Sequence, residues 1–336
     1  MNTKYKITAS VCLVLVLAIS IAYFTYKDAY AHPILNSGWQ SQFESDGDVL
    51  NSADPFYLIA QGDSTHHNIS DVFGGFSLQT PDCGHAKFGP HITQEWDDVL
   101  GKYSFVFHIH IEEDNDQCIR FDRQRTEIKA DKASPETFKG FRGDTVAYRW
   151  LFKLDEGFQT SRSFTHIHQI KPFPSNGLGP TITITPVGGR KILANDLEIY
   201  DSEMLSMVDP EMEHFVNVRK RLGTPDVLEI RHRDSSRESE VLASAPLNLF
   251  RGVWVEASER LTYGHNGKYK IELRDFASGD LLLRYKDLDI DLWPDGIQFH
   301  RPKWGIYRGL NTKELLRDEQ VRFDQICLIK NRRICR

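Results

Sequence analysis

Cysteine is sparse in this chain, and no two cysteines stand in a C-x-x-C pair. Five of 336 residues are cysteine, so nothing here reads as a paired-cysteine zinc site. Positive charge is not in excess either. The formal net charge of -6 excludes a generally basic nucleic-acid binder, though it leaves room for a local basic groove. No internal repeat and no low-complexity tract interrupts the sequence. From "GWQSQF" onward there is no linker, so a single domain over 32–336 is the simplest organisation. The apolar share of 40% is that of a globular protein rather than a disordered one. Helical patterning is scarce. It is confined to 197–222, "LEIYDSEMLSMVDPEMEHFVNVRKRL", which reads as an insertion or lid within 190–224.

What is present begins with a targeting segment. Lys4 and Lys6 precede the apolar run "ITASVCLVLVLAISIAYF", and Ala29-Tyr30-Ala31 fits a small-x-small processing site. A signal peptide over 1–31 is the favoured reading. The run is also long enough to serve as a membrane anchor through 7–24. Both readings send the rest of the chain out of the cytosol, to be secreted, periplasmic or held at the cell surface. Cys83, Cys118, Cys327 and Cys335 then form an even set in an oxidising compartment. Of the three pairings, Cys83–Cys118 with Cys327–Cys335 is favoured, because the second closes a short loop.

Short strand-like runs fill the remainder, among them "YSFVFHIHIE", "RQRTEIKA", "TVAYRWLFKL", "TITITPV", "DVLEIRHR" and "WGIYRG", with turn signals such as "NG" and "PDG" between them. This pattern predicts an all-β fold of two packed antiparallel sheets. Side chains two apart on a strand share a face. In "SFTHIHQIKP" the alternation puts His166 and His168 side by side, with Ile167 and Gln169 pointing the other way. In "RQRTEIK" it puts Arg123, Arg125, Glu127 and Lys129 on one face and Gln124, Thr126 and Ile128 on the other. The same rule groups Arg231 with Arg233, Thr181 with Thr183 and Thr185, and Lys303 with Gly305 and Tyr307. Together they describe a sheet face suited to a long acidic carbohydrate, since a guanidinium fork fits a carboxylate with two parallel hydrogen bonds. Trp293 and Trp304 are candidates for stacking on sugar rings, with a core role as the plainer alternative.

Three of these runs, in this order, resemble a known family. "RTEIK" is similar to the R-(S/T)-E-L segment of jelly-roll alginate lyases, "HIHQIK" to their Q-I-H segment, and "KWGIYR" to their K-x-G-x-Y segment. "DRQRTEIK" with "RPKWGIYRG" resembles glucuronan lyases more closely still. The resemblance spans roughly Cys83 to Cys327. It implies a concanavalin-like β-jelly roll and a polysaccharide lyase that cleaves a uronate polymer by β-elimination. It further implies that Arg125 holds the substrate carboxylate and that Lys303 supports the same anion. His168 would act as base or help to neutralise the substrate. Tyr307 would protonate the leaving oxygen and, for one sugar configuration, also take the C5 proton. His166 stands where alginate lyases have Gln, and a charged His there would make activity more pH-dependent. Arg123, Glu127 and Arg231 join the list as substrate contacts. A monomer acting on an acidic polysaccharide is expected, with no nucleic acid partner.

Other readings compete. His108 and His110 in "FHIHIE" form a second H-x-H. With His166 and His168, and Glu112 as a further ligand, they could assemble a zinc or copper site. The lyase reading assigns no metal and requires no cofactor, although a calcium ion in "EEDNDQ" would fit as a structural element. A glycoside hydrolase would need two acidic residues flanking the scissile bond. The nearest match is "EIYDSE", where Glu198 and Asp201 fall on opposite faces of a strand. A non-catalytic carbohydrate-binding module needs no more than the Arg, His and Tyr set.

Overall fold

The structure, a computed structural model, describes residues 55–60, 72–161, 163–175, 177–188, 226–234, 239–311, 313–331 and 335. The leader or anchor expected over 1–31 and the insertion expected over 190–224, with Glu198 and Asp201, lie outside these residues.

The described residues form strands in chain order: β1 (Phe56–Leu58), β2 (Ser77–Gln79), β3 (Ile92–Asp97), β4 (Lys102–Ile109), β5 (Arg123–Lys129), β6 (Thr145–Leu154), β7 (Thr165–Phe173), β8 (Ile182–Val187), β9 (Val227–Arg233), β10 (Ser239–Pro246), β11 (Trp254–Thr262), β12 (Gly267–Asp275), β13 (Leu281–Ile290), β14 (Phe299–Gly309) and β15 (Glu319–Lys330). They build two antiparallel sheets. One runs β13-β12-β11-β6-β15-β4-β3, with β1 added on β15; the other runs β10-β9-β8-β7-β14-β5-β2. This is the all-β fold of two packed antiparallel sheets that the strand pattern predicts, and the jelly roll that the family resemblance implies.

Alternation explains the packing. β6 turns Val146, Tyr148, Trp150, Phe152 and Leu154 into the core, while Arg149 and Lys153 on the other face pair with Glu256 and Asp97. Trp304 and Ile306 of β14 and Ile128 of β5 meet them from the opposite sheet. Each large apolar side chain buried in this way contributes about 1.5–3 kcal/mol. Trp293 and Trp304 belong to this core, so neither is a sugar platform. Both expected disulfides form. Cys83–Cys118 spans 35 residues and Cys327–Cys335 spans 8, and each limits the unfolded chain in proportion to the logarithm of its loop.

Candidate active site

The outer face of the seven-stranded sheet carries the polar residues. β14 lies between β5 and β7. Tyr307 stands opposite Arg125 on one side and His166 on the other, and Lys303 stands opposite Gln169. On β5 the parity reading holds. Ile128 packs in the core, Thr126 donates to the His108 carbonyl and Gln124 donates to the His110 and Asp114 carbonyls. Arg123, Arg125 and Glu127 face outward to meet β14 side chains.

On β7 the parity reading fails. The β14–β7 register shifts between Trp304 and Tyr307: Trp304 pairs with His168 and Tyr307 with His166. Gly305 and Ile306 thus oppose the single residue Ile167, which is a β-bulge. Gly305 has φ +142, and a Cβ there would come within 2.1 Å of the Thr126 carbonyl oxygen. A glycine is therefore required at the bulge. Opposite the bulge, Ile167 and His168 both turn inward, while His166 and Gln169 both turn outward.

His168 is consequently not in the cleft. It is fully buried between the sheets, with ring centroids 4.5 Å from Trp150 and 5.1 Å from Trp304. Its Nε2 lies 3.0 Å from Glu259 Oε2 on the facing sheet, and the Tyr269 hydroxyl donates to the other oxygen of that carboxylate at 2.9 Å. The expectation that His168 acts as base or substrate neutraliser is corrected on this geometry. Gln169, expected to face away, instead donates to Glu127 on the outer face.

The outer face is crowded with cations. Arg125 lies over the Tyr307 ring at 3.8 Å, donates to Gln79 Oε1 at 3.0 Å and pairs with Asp116 at 3.1 Å. Its buried Nε has no partner among the described residues. Lys303 Nζ meets Glu127 Oε2 at 2.5 Å. Burial pulls the Lys303 ammonium down to about 7, with Glu127 pushing back and Arg125 and Lys171 adding to the fall. Burial also pulls down Lys129, Lys171 and Arg301, and the neighbouring Arg125 adds to the fall at each. Glu127, fully buried, stays ionised because Lys303 and Arg125 outweigh its desolvation. Glu127, Asp116, Asp131 and Glu229 offset only part of this positive charge, which leaves the face favourable to a further anion.

His166 sits 6.1 Å from the Tyr307 ring and 5.1 Å from Phe164. Its Nδ1 is 2.9 Å from Thr185 Oγ1, and that hydroxyl donates to Thr183 Oγ1 at 2.8 Å. A hydroxyl has one proton, so Thr185 accepts from the imidazole and Nδ1 carries the hydrogen. Nε2 is left with a lone pair. Burial pulls the imidazole down to about 3, with Glu127 pushing back. His166 is therefore neutral near pH 7 and does not neutralise a carboxylate by charge. On the other side, Arg123 Nη1 donates to the Tyr307 hydroxyl at 3.0 Å, which keeps the phenol's own proton free to be given away.

Of the residues expected at the site, Arg125, Arg123, Glu127, Lys303, Tyr307 and His166 come together on this face. Arg231 shares it at the flank: Thr183 pairs with both Gln169 and Arg231, and Arg231 is bound to Glu229 at 2.6 Å. Thr181 leaves the Thr row to reach the buried ring of His300. The two H-x-H pairs do not assemble. His166 and His168 face opposite ways, His108 bonds Thr93, and Glu112 pairs with Lys313. Gln79, Lys171 and Arg301 were missed. Gln79 lies in a three-residue strand with no local signal, whereas the parity of Lys303 and Tyr307 already placed Arg301 on their face.

No protein-family model matches the chain, and no curated protein matches it. Among solved structures it is similar to an endo-β-1,4-glucuronan lyase from the fungus Trichoderma reesei, with 14% identity and a TM-score of 0.46 over 82% of this chain and 94% of that one. It is also similar to an alginate lyase of polysaccharide lyase family 7, with 13% identity and a TM-score of 0.46 over 78% and 97%. A third is the PL-14 alginate lyase from Aplysia kurodai, with 10% identity and a TM-score of 0.48 over 82% and 98%.

Proposed function

We propose that this protein is a polysaccharide lyase that cleaves a uronate-containing polymer, of the glucuronan or alginate kind, by β-elimination. The observation that carries the proposal is Tyr307 flanked on one side by the buried Arg125, with an unpartnered Nε, and on the other by a neutral His166, with Lys303 and Gln169 on the same face. The three-motif resemblance in the sequence supports the same reading.

The chemical difficulty is the C5 proton, which is barely acidic beside a carboxylate anion. Arg125, assisted by Lys303 and Gln169, binds that carboxylate and stabilises the charge that builds on it as the proton leaves. His166 Nε2 takes the C5 proton. The Thr185–Thr183 hydroxyl pair holds the ring in the tautomer this needs and bears the hydrogen on Nδ1. Tyr307 gives its proton to the glycosidic oxygen as the bond from C4 breaks, and Arg123 steadies the phenolate that results. The products are an unsaturated uronate end and a free hydroxyl. No water is consumed. Glu127 serves as the fixed counter-anion that keeps Lys303 and Gln169 in place.

The test is a panel of purified polyuronates followed at the ultraviolet absorbance of the unsaturated product. A rise on at least one polymer is expected. New reducing ends with no absorbance would make the protein a hydrolase. Binding without either would make it a carbohydrate-binding module.

A further inference from the structure

His85, His91, His110 and Asp114 lie apart from the residues just assigned. They come from two segments that the Cys83–Cys118 disulfide joins. One ligand atom from each of the four falls within 4.8 Å of all the others. The three imidazole rings make a nearly equilateral triangle, with centroids 5.0 Å apart for His85–His110 and 5.3 Å for each of the other two pairs. The Asp114 carboxylate, fully buried, stands at their centre. Its Oδ1 is 2.9 Å from both His85 Nδ1 and His91 Nε2, and its Oδ2 is 3.1 Å from His110 Nδ1.

The geometry points to a site for a zinc-class divalent transition-metal ion, bound by His85, His91, His110 and Asp114. Three nitrogens and one oxygen suit zinc in tetrahedral coordination, where neighbouring ligand atoms lie about 3.3 Å apart. Ligand atoms that now lie within 4.8 Å of one another would close by up to about 1.5 Å to reach that. Calcium takes six or more oxygens and does not suit an imidazole set. The surroundings have the features of a metal site. Asp82 Oδ1 accepts from His91 Nδ1 at 2.6 Å, which fixes the tautomer that turns Nε2 inward, as a carboxylate does behind a metal-bound histidine. Phe88 covers the three rings, with centroids at 4.1–5.6 Å, and shields them from water. The His85 and His110 side chains keep 16% and 19% of their surface exposed, so the cluster is not sealed from solvent.

An ion there would staple the crossing from one sheet to the other. His91 precedes β3, and His110 and Asp114 follow β4; the chain then enters β5 of the opposite sheet. The same crossing puts the Asn115 carbonyl on the Arg125 amide and Asp116 on the Arg125 guanidinium.

The test uses untagged full chain, stripped with chelator and then dialysed against micromolar zinc or calcium. Elemental analysis is expected to give about one zinc and no retained calcium. Zinc should raise the melting temperature by about 5 °C or more over the stripped protein, the size of effect that saturation of one folded-state site produces. His85→Ala and His110→Ala alter partly exposed rings and should fold, yet each should lose the retained zinc and the thermal shift. Less than a tenth of an equivalent of zinc in the parent chain would overturn the proposal. So would full zinc retention in both variants, or stabilisation by calcium alone.

Discussion

His166 and His168 stand on opposite faces of β7: the first meets Tyr307 across the outer face, and the second meets Glu259 across the core. The two histidines should therefore fail in different ways when replaced.

His166→Ala should reduce kcat by about a hundredfold or more on the best polyuronate, the usual scale for a positioned base, with the melting temperature little changed. His168→Ala should do the reverse. It strips the buried Glu259 of a hydrogen-bond partner, which costs about 3 kcal/mol, or roughly 6 °C or more in a thermal melt, while the folded fraction turns over normally. If His168→Ala melted like the parent but had lost turnover, the inner-face assignment would be wrong.

Tyr307→Phe removes one hydroxyl and keeps the ring that Arg125 lies over. Turnover should fall by about a hundredfold and KM should barely move, because the lost interaction belongs to the transition state. Arg125→Ala should weaken both, since the substrate carboxylate is charged before and during reaction. Near-normal elimination by Tyr307→Phe would leave the phenol a structural role only.

Gly305→Ala places a methyl group against the backbone of Thr126 and Glu127, at 2.1 and 2.6 Å. Neither contact can be relieved by a side-chain rotation. A destabilisation of about 3 kcal/mol or more is expected from overpacking and the positive φ together. Circular dichroism melts would show it, and a variant melting within a degree or two of the parent would exclude the bulge.

The pH profile of kcat/KM follows from two groups with opposite requirements. His166 works deprotonated and titrates at about 3, so it sets no limb near neutrality; Lys303 works protonated and titrates at about 7. Activity should hold from mildly acid pH up to about 7 and then decline as Lys303 loses its charge. Lys303→Arg, whose guanidinium stays charged, should carry the decline to higher pH. A limb that does not move in this variant would assign it to another group.

Sequence parity sufficed where strands are regular. β5 keeps strict alternation, so Arg123, Arg125 and Glu127 were correctly grouped against Gln124, Thr126 and Ile128. It misplaced His168 and Gln169 because the cause lies on another strand. The glycine that opens the bulge is in β14, and nothing within "THIHQIK" reports it. Gln79 and Asp116 reach Arg125 from separate segments, a relation of tertiary structure alone. The imidazole cluster was half visible. His110 stands in "FHIHIE" and Asp114 in the adjoining "EEDNDQ", which the sequence treats as separate runs, while His85 and His91 arrive through the Cys83–Cys118 loop, and the H-x-H spacing pairs His110 with His108 instead.

Among the described residues β15 is the last strand in chain order, yet it lies inside its sheet, hydrogen-bonded to β6 on one side and β4 on the other. Until it has been synthesised, β4 and β6 have no neighbour to join them, and that sheet exists only as two separate pieces. Completion thus comes after synthesis of the whole domain, through contacts far apart in the chain, which makes for slow folding. A sheet that lacks the strand closing it leaves its chain loose enough to thread a narrow channel until that strand arrives.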